Sequence, residues 1–410
     1  MLQVNRCASS IRVLHLVDDL SKANTGVAAT VLQLTAWQIK HVAWVGIFTA
    51  GLVDILIPKG VEVMVWPVHS WLPAWRYPTQ GLGNLLRVIR DNKVTHIHVH
   101  GIWQAGFVLG MLSSDICGLP VVLSMHGMCA PIALKHGGWF RRLKKRGYWS
   151  LLTGCFMRSR VGLHAVTELE AQYIREFTGR NANVILPNAI DLTDATLHQP
   201  SPKTRLLRRI VYLGRLHPIK GPDLLIQAFS DSELRVGWEL VLAGPEEIPD
   251  YARELKALAV ASKKSSQIRF IGPSYGPAKK ELLASAWVVV VPSHSEVVGM
   301  VNLEAASLCT PTITTHSTGL VNWQAGGGVL SAATADGLRM ALNAAMLWSV
   351  EERRDRGRRA RHMIEQEFSL ESVGVAWLRF YRDLDRPVNR NGFGRRLLTS
   401  ITRDITGVHE

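Results

Sequence analysis

The chain has 410 residues, 47% hydrophobic and 20% charged, which is more than one ordinary core needs and too apolar for a disordered polymer. A formal net charge of +14 asks for an anionic partner but leaves nucleic acid, a membrane surface and phosphorylated substrates open. The five cysteines form no C-x-x-C pair, so neither a disulfide framework nor a zinc site is expected, and a reducing cytoplasm is the natural compartment.

Met1 to Ser10 has no apolar core of signal-peptide length. Ile11–Val17 reads as a first strand, followed by a polar loop, Asp18 to Thr25, and a helix from about Gly26. Val42 to Pro58 is the most apolar stretch, but it carries Asp54 and falls short of the about 20 residues a membrane span needs. It is expected to be a buried strand running into a helix. Val61–Val65, His96–Val99, Val121–Ser124 and Leu163–Val166 continue the strand pattern.

The alternation breaks in a polar stretch with Pro200 and Pro202 and then restarts. Ile210–Leu213, Glu239–Ala243, Ile268–Ile271, Val288–Val291 and Thr312–Thr315 read as strands with helices between them. The expected fold is α/β, with two Rossmann-like, doubly wound parallel-sheet domains. The boundaries are a first domain at 1–191, a linker at 192–209 and a second domain at 210–367. A helix at 368–386 is expected to pack back on the first domain, with Val373, Trp377, Phe380 and Leu384 on one side, before a basic tail at 387–410. Open sheets of this kind take ligands at the carboxyl ends of their strands, so the loops there are the places to look for chemistry.

The first such loop is Gly214-Arg215-Leu216-His217-Pro218-Ile219-Lys220-Gly221. Glycine permits close backbone approach, and an arginine and a lysine five residues apart suit one diphosphate, the one as a planar fork and the other as a point charge. A solvated loop with two surface cations is the bland alternative. The second is Pro292-Ser293-His294-Ser295-Glu296-Val297-Val298-Gly299-Met300-Val301-Asn302-Leu303-Glu304. A helix starting near Gly299 leaves unpaired N–H groups for a phosphate oxygen, and Glu304 has two oxygens for the hydroxyls of a ribose. Glu296 lies beyond the phosphates, beside whatever they carry. The bland alternative makes Glu296 a helix-start carboxylate and Glu304 a surface residue.

Two glutamates with seven residues between them, after Pro-Ser, resemble the E-x7-E motif of glycosyltransferase family 4. The agreement continues in order along the chain through Thr25-Gly26, His100-Gly101, His126-Gly127, Pro187-Asn188, Gly214-Arg215, Lys220-Gly221, Gly244 and Glu296 to Glu304. Each piece is short; the ordered set is specific. The resemblance implies a GT-B architecture, two domains facing a cleft, and a retaining enzyme that uses a nucleotide-diphospho-sugar. It implies that Arg215 and Lys220 hold the diphosphate with Gly214, and that Glu304 binds the ribose. Glu296 contacts the sugar, Gly299, Met300 and Val301 offer amides, Gly26 lets the backbone approach the donor, and His126 faces the transferred sugar. Two departures, Val297-Val298 where the family has a small residue and Phe, and a single glycine in Thr25-Gly26, bear on sugar selection.

The expected reaction is therefore transfer of a hexose from a UDP-, GDP- or ADP-sugar to a hydroxyl of a glycan or polyprenyl-linked glycan, in cell-surface polysaccharide or glycolipid synthesis. No separate cofactor is implied. A sugar-nucleotide epimerase, a phosphorylase or a non-catalytic binder of anionic polymers is the alternative. His96, His98 and His100 share one strand face, but with no acidic or cysteine partner nearby no metal is assigned to them. A stretch from residue 135 to 160 mixes Lys135, Arg141, Arg142, Lys144, Lys145, Arg146, Arg158 and Arg160 with Trp139, Phe140, Tyr148 and Trp149. It suits an anionic membrane surface as a peripheral contact on the cytoplasmic face, or one solvated helix face; nucleic acid ranks lowest.

Overall fold

The computed structural model describes residues 10–20, 25–50, 53, 55–65, 81–103, 105–135, 143–150, 161–193, 208–233 and 237–385. The chain divides into two units, residues 1–189 with 370–410, and residues 190–369. Most of the proposed linker and all of the basic tail fall outside the described residues.

In the first unit, seven parallel strands make one sheet: β1 (Arg12–Val17), β2 (Trp44–Thr49), β3 (Glu62–Val65), β4 (His96–His100), β5 (Val121–Ser124), β6 (Val161–Ala165) and β7 (Val184–Ile185). Their order is β3-β2-β1-β4-β5-β6-β7. The direction of winding reverses between β1 and β4, which is where an open α/β sheet forms its ligand crevice. One face carries Leu14, Leu16, Ile97, Val99, Val121 and Leu123 into an apolar core. The other carries Val13 and Val122, under the helices Thr25–Gln38 and Leu370–Asp385. The latter helix buries Val373, Trp377, Phe380, Tyr381 and Leu384. It packs closely because two glycines admit it: a Cβ on Gly162 would lie 2.8 Å from Phe380, and one on Gly374 would lie 2.5 Å from Trp37.

The second unit has six parallel strands, β8 (Arg209–Leu213), β9 (Glu239–Ala243), β10 (Ile268–Phe270), β11 (Val288–Val291), β12 (Thr312–Thr315) and β13 (Val329–Ser331), in the order β10-β9-β8-β11-β12-β13. The run Val288–Val291 is buried throughout, as a central parallel strand covered on both faces requires. Here the winding reverses between β8 and β11.

One expectation fails. Among its described residues, the apolar stretch 42–58 does not run into a helix. After β2, Val53 makes an isolated parallel bridge with Leu20, and residues 55–58 are irregular up to a turn with Gly60 at φ +96°. Pro58 cannot donate the N–H that a helix turn there would need. The short edge strands β7 and β13 were not expected.

Candidate active site

Because β8 and β11 are neighbours, the loops 214–221 and 292–299 leave the sheet side by side. The His294 amide donates to the Ile219 carbonyl at 2.9 Å and ties them together. Gly221 sits at φ +63°, and a Cβ there would lie 2.4 Å from the Pro292 carbonyl oxygen, so only glycine lets the loops approach this closely. Lys220 ends a single 3-10 turn, Pro218–Lys220, started by His217, whose Nδ1 accepts from the Ile219 amide at 3.1 Å. Its ammonium donates to Glu296 Oε2, which also accepts from Ser293 Oγ at 3.3 Å. Cation and carboxylate, 76 residues apart in sequence, thus form one half-buried pair.

Arg215 turns elsewhere. Its Nη1 donates to both oxygens of Glu247, at 2.7 and 2.6 Å. Beneath it, the Gly214 amide donates to the Ala243 carbonyl at 2.9 Å, and a Cβ on Gly244 would lie 1.7 Å from the Gly214 oxygen. Gly244→Ala is accordingly expected to force the ends of β8 and β9 apart. The cost should be about 3 kcal/mol of stability, read as a lower urea midpoint for the second unit. An unchanged midpoint would mean that the two loops part easily.

Gly299, at φ +67°, caps the helix Met300–Ser307, whose first N–H groups have no acceptors within the helix. Asn302 anchors this turn from below, its amide donating to the Val298 carbonyl and to Thr314 Oγ1, each at 3.2 Å. Val298 is buried in the core, whereas Val297 is only partly covered. Glu304 is not a surface residue: its carboxylate is half-buried and paired with Lys279 at 2.7 Å. Gly214, Arg215, Lys220, Glu296, Gly299, Met300, Val301 and Glu304 therefore collect at the carboxyl end of one sheet.

Gly26 and His126 belong to the first unit. Gly26 lies in the first turn of the helix Thr25–Gln38 and not in a loop, with nothing within 4 Å of where a Cβ would stand. His126 follows β5 in the left-handed region, φ +48°, an uncommon conformation for a non-glycine residue. Glu170 holds that turn: its buried carboxylate accepts from the Gly127 amide at 2.5 Å and the Val166 amide at 2.7 Å. Burial pushes the Glu170 carboxyl above its usual range, and the two amides draw it partly back.

The strand histidines face a cluster of others. In the β1–β4 register His15 lies opposite His98, and His100 and His164 both flank Ser124. His15, His98, His100 and His126 link into a chain with His164, Ser124, Gln38 and Tyr381. Ligand atoms of His15, His98 and His100 lie within 4.8 Å of one another. All six of their ring nitrogens nevertheless have hydrogen-bond partners in the protein, and the His98 and His100 rings stack at 4.2 Å. Burial lowers the pKa of His15 and His126 to about 4 and of His164 to about 3, and drives His98 and His100 well below the ordinary imidazole value.

Much of the basic-aromatic stretch, residues 136–142 and 151–160, lies outside the described residues. In the part described, Trp149 is buried in the first unit's core with Tyr148 packed against it. Lys145 donates to the Ala133 carbonyl at 2.9 Å and sits 5.1 Å from the Trp103 ring centre. These groups are engaged by the fold, whereas Leu143, Lys144 and Arg146 beside them are exposed.

Residues 25–189 match the glycosyl transferase 4-like domain, and residues 195–363 match glycosyl transferases group 1. An uncharacterised glycosyltransferase of Methanocaldococcus jannaschii is 36% identical over 282 residues, covering 64% of this chain and 69% of that protein. The chain belongs to the group 1, family-4-like glycosyltransferases. A D-inositol 3-phosphate glycosyltransferase of an Arthrobacter strain is 29% identical over 244 residues, 55% of each chain. The chain thus spans about half the length of that curated relative.

Among solved structures, Anabaena HepE in complex with UDP superposes with a TM-score of 0.74 at 16% identity, covering 91% of this chain and all of that one. WaaG, a glycosyltransferase involved in lipopolysaccharide biosynthesis, gives 0.68 at 18% identity, with 90% and 99% covered. At such identities the likeness shows the fold, which is that of GT-B glycosyltransferases.

The sequence singled out Glu296 and Glu304 but not their pairing with Lys220 and Lys279. Lys279, Glu247 and Glu170 escaped notice because each meets its site from another element, and the anchoring role of Asn302, though it stands inside the second loop's motif, depends on Thr314 of a neighbouring strand. His15 carried a signal, a polar residue central in an apolar strand, but its significance depends on the strand order.

Proposed function

We propose that the chain transfers a sugar, with retention of configuration, from a nucleotide-diphospho-sugar to a hydroxyl of a glycan or polyprenyl-linked glycan. The observation that carries this reading is the Lys220–Glu296 pair beside the Gly299 helix start, with Glu304 one turn further on. Glu296, the cation with the open amides, and Glu304 then follow the donor's own order of sugar, diphosphate, ribose. Anabaena HepE, of the same fold, has been solved with UDP and with UDP-glucose, which favours a uridine diphosphate donor.

In this reading the bond from the anomeric carbon to the diphosphate breaks as the acceptor oxygen bonds to the same face. The acceptor's proton passes to the departing phosphate. Negative charge grows on that phosphate, so Lys220, Arg215 and the helix amides stabilise the transition state more than the ground state. Arg215 must exchange Glu247 for phosphate. Glu296 holds the sugar and forms no covalent bond to it. Among the described residues no helix is long and apolar enough to cross a membrane.

The test is thermal unfolding with UDP, GDP, ADP and heparin, followed by transfer assays with sugars of the stabilising base. One nucleoside diphosphate is expected to stabilise the protein by about 2.7 kcal/mol at a hundred times its Kd. A response to heparin alone would make the chain a polyanion binder. Interconversion of the donor sugar without an acceptor would make it an epimerase.

A further inference from the structure

The buried polar chain of the first unit has a direction, and one backbone group sets it. The Leu186 carbonyl can only accept, so His164, whose Nε2 lies 2.8 Å away, carries its proton there and leaves Nδ1 bare. Ser124 Oγ, 2.7 Å from that Nδ1, must donate to it. Its lone pair then accepts from His98 Nε2 at 2.7 Å, leaving His98 Nδ1 bare. Tyr381 must donate to that nitrogen, at 2.8 Å, so its oxygen accepts from the amide nitrogen of Gln38 at 3.3 Å.

The Gln38 orientation is thereby fixed without reference to any assigned amide flip. Its oxygen faces His15 Nε2 at 2.8 Å and demands a proton from it. His15 Nδ1 is then bare and accepts from His100 Nε2 at 2.9 Å, and His100 Nδ1 accepts from His126 Nε2, also at 2.9 Å. Donation runs one way from His126 to Leu186. With the five imidazoles neutral, as burial favours, every proton is placed and all five are Nε2–H tautomers.

The chain ends at His126 Nδ1, which makes no hydrogen bond among the described residues. His126 is half-buried and lines a pocket within the first unit with Thr30, Asn188, Val373 and Trp377. We infer that Gln38 and Tyr381 are positioning residues that fix His126 as an acceptor-only contact, selecting a ligand hydroxyl at this pocket over a phosphate or carboxylate oxygen. A neutral imidazole with a bare Nδ1 takes a hydrogen bond from O–H and repels an anionic oxygen. This deepens the glycosyltransferase reading, in which the hydroxyl belongs to a sugar, but the tautomer stands apart from it.

Two measurements test the inference. In the full chain labelled with 15N-histidine, at pH 7.5, long-range 15N–1H correlations should show His126, His100, His15, His98 and His164 as Nε2–H tautomers. His126 as an Nδ1–H tautomer or an imidazolium would overturn it. Tyr381→Phe strips the donor from His98 and the acceptor from Gln38, and Gln38→Leu removes the acceptor of His15. Each should leave His126 in mixed tautomers and raise the KM for the donor sugar about tenfold, with kcat less affected. Variants that lose thermal stability yet keep the His126 tautomer and the KM would make both residues structural only and sink the proposal. Absence of any sugar transfer by the unaltered protein would refute the enzyme reading and leave the tautomer result to stand or fall alone.

Discussion

Lys220→Ala is expected to lower kcat/KM for sugar transfer about a hundredfold or more, the scale of losing one charge-stabilising donor, roughly 3 kcal/mol. The structure makes the variant more informative than a bare deletion, because Lys220 is paired with Glu296. Removing the lysine also leaves a half-buried carboxylate without its cation, so the melting temperature should fall with the activity. In Lys220→Ala/Glu296→Gln that carboxylate is gone. The melting temperature should then recover while the rate does not. Full recovery of both would make the pair a structural tie between two loops. Retention of near-normal transfer by Lys220→Ala would remove the main support for the proposed function.

Arg215 offers the contrast. Its partner Glu247 is 40% exposed and the arginine 43%, so their ion pair adds little to stability and releases easily. Arg215→Ala should therefore lose activity with almost no change in melting temperature. Glu247→Gln, by freeing the guanidinium, should if anything tighten donor binding.

The sequence made the parts of this site visible but not most of their pairings. Parallel strands covered on both faces read as apolar runs, and the residues that follow them are polar for a reason, so both loops of the second unit were found by pattern alone. Lys220 and Glu296 stand 76 residues apart, and their contact follows only once β8 and β11 are neighbours. Glu304 and Lys279 belong to different helices and meet across 25 residues. The histidines show the same limit. Strand alternation put His96, His98 and His100 on one face, but His15, His164 and Tyr381 arrive from other elements. The apolar stretch 42–58 misled for the opposite reason: its hydrophobicity was real, but Pro58 and the Gly60 turn left no room for another helix.

Mild acid is expected to unfold the first unit well before the second. Each of the five networked histidines, four buried and His126 half-buried, is neutral in the folded chain and would take a proton near pH 6.5 once unfolded. Because the folded pKa values are depressed, this stabilisation is complete above about pH 6.5 and drains away as the pH falls towards 4. Each histidine that only the unfolded chain protonates steepens the loss by about 1.4 kcal/mol per pH unit. Five acting together approach about 7 kcal/mol per unit, comparable with the whole stability of a domain. His96 adds to them in the same direction, since burial outweighs the pull of Asp385 at 3.4 Å. Glu170 opposes them: its raised folded pKa lets the folded state bind a proton first, one group against the rest. Among the described residues no histidine of the second unit is buried, so that unit lacks this liability. Calorimetry between pH 8 and pH 5 should show one transition moving steeply down below pH 6.5 while another holds. In His164→Gln, Nε2 can still donate to Leu186 and the side-chain oxygen can still accept from Ser124, so the steepness should drop by about one histidine. Transitions that stay together across that range would mean that the histidines titrate alike folded and unfolded, and that the network is open to water.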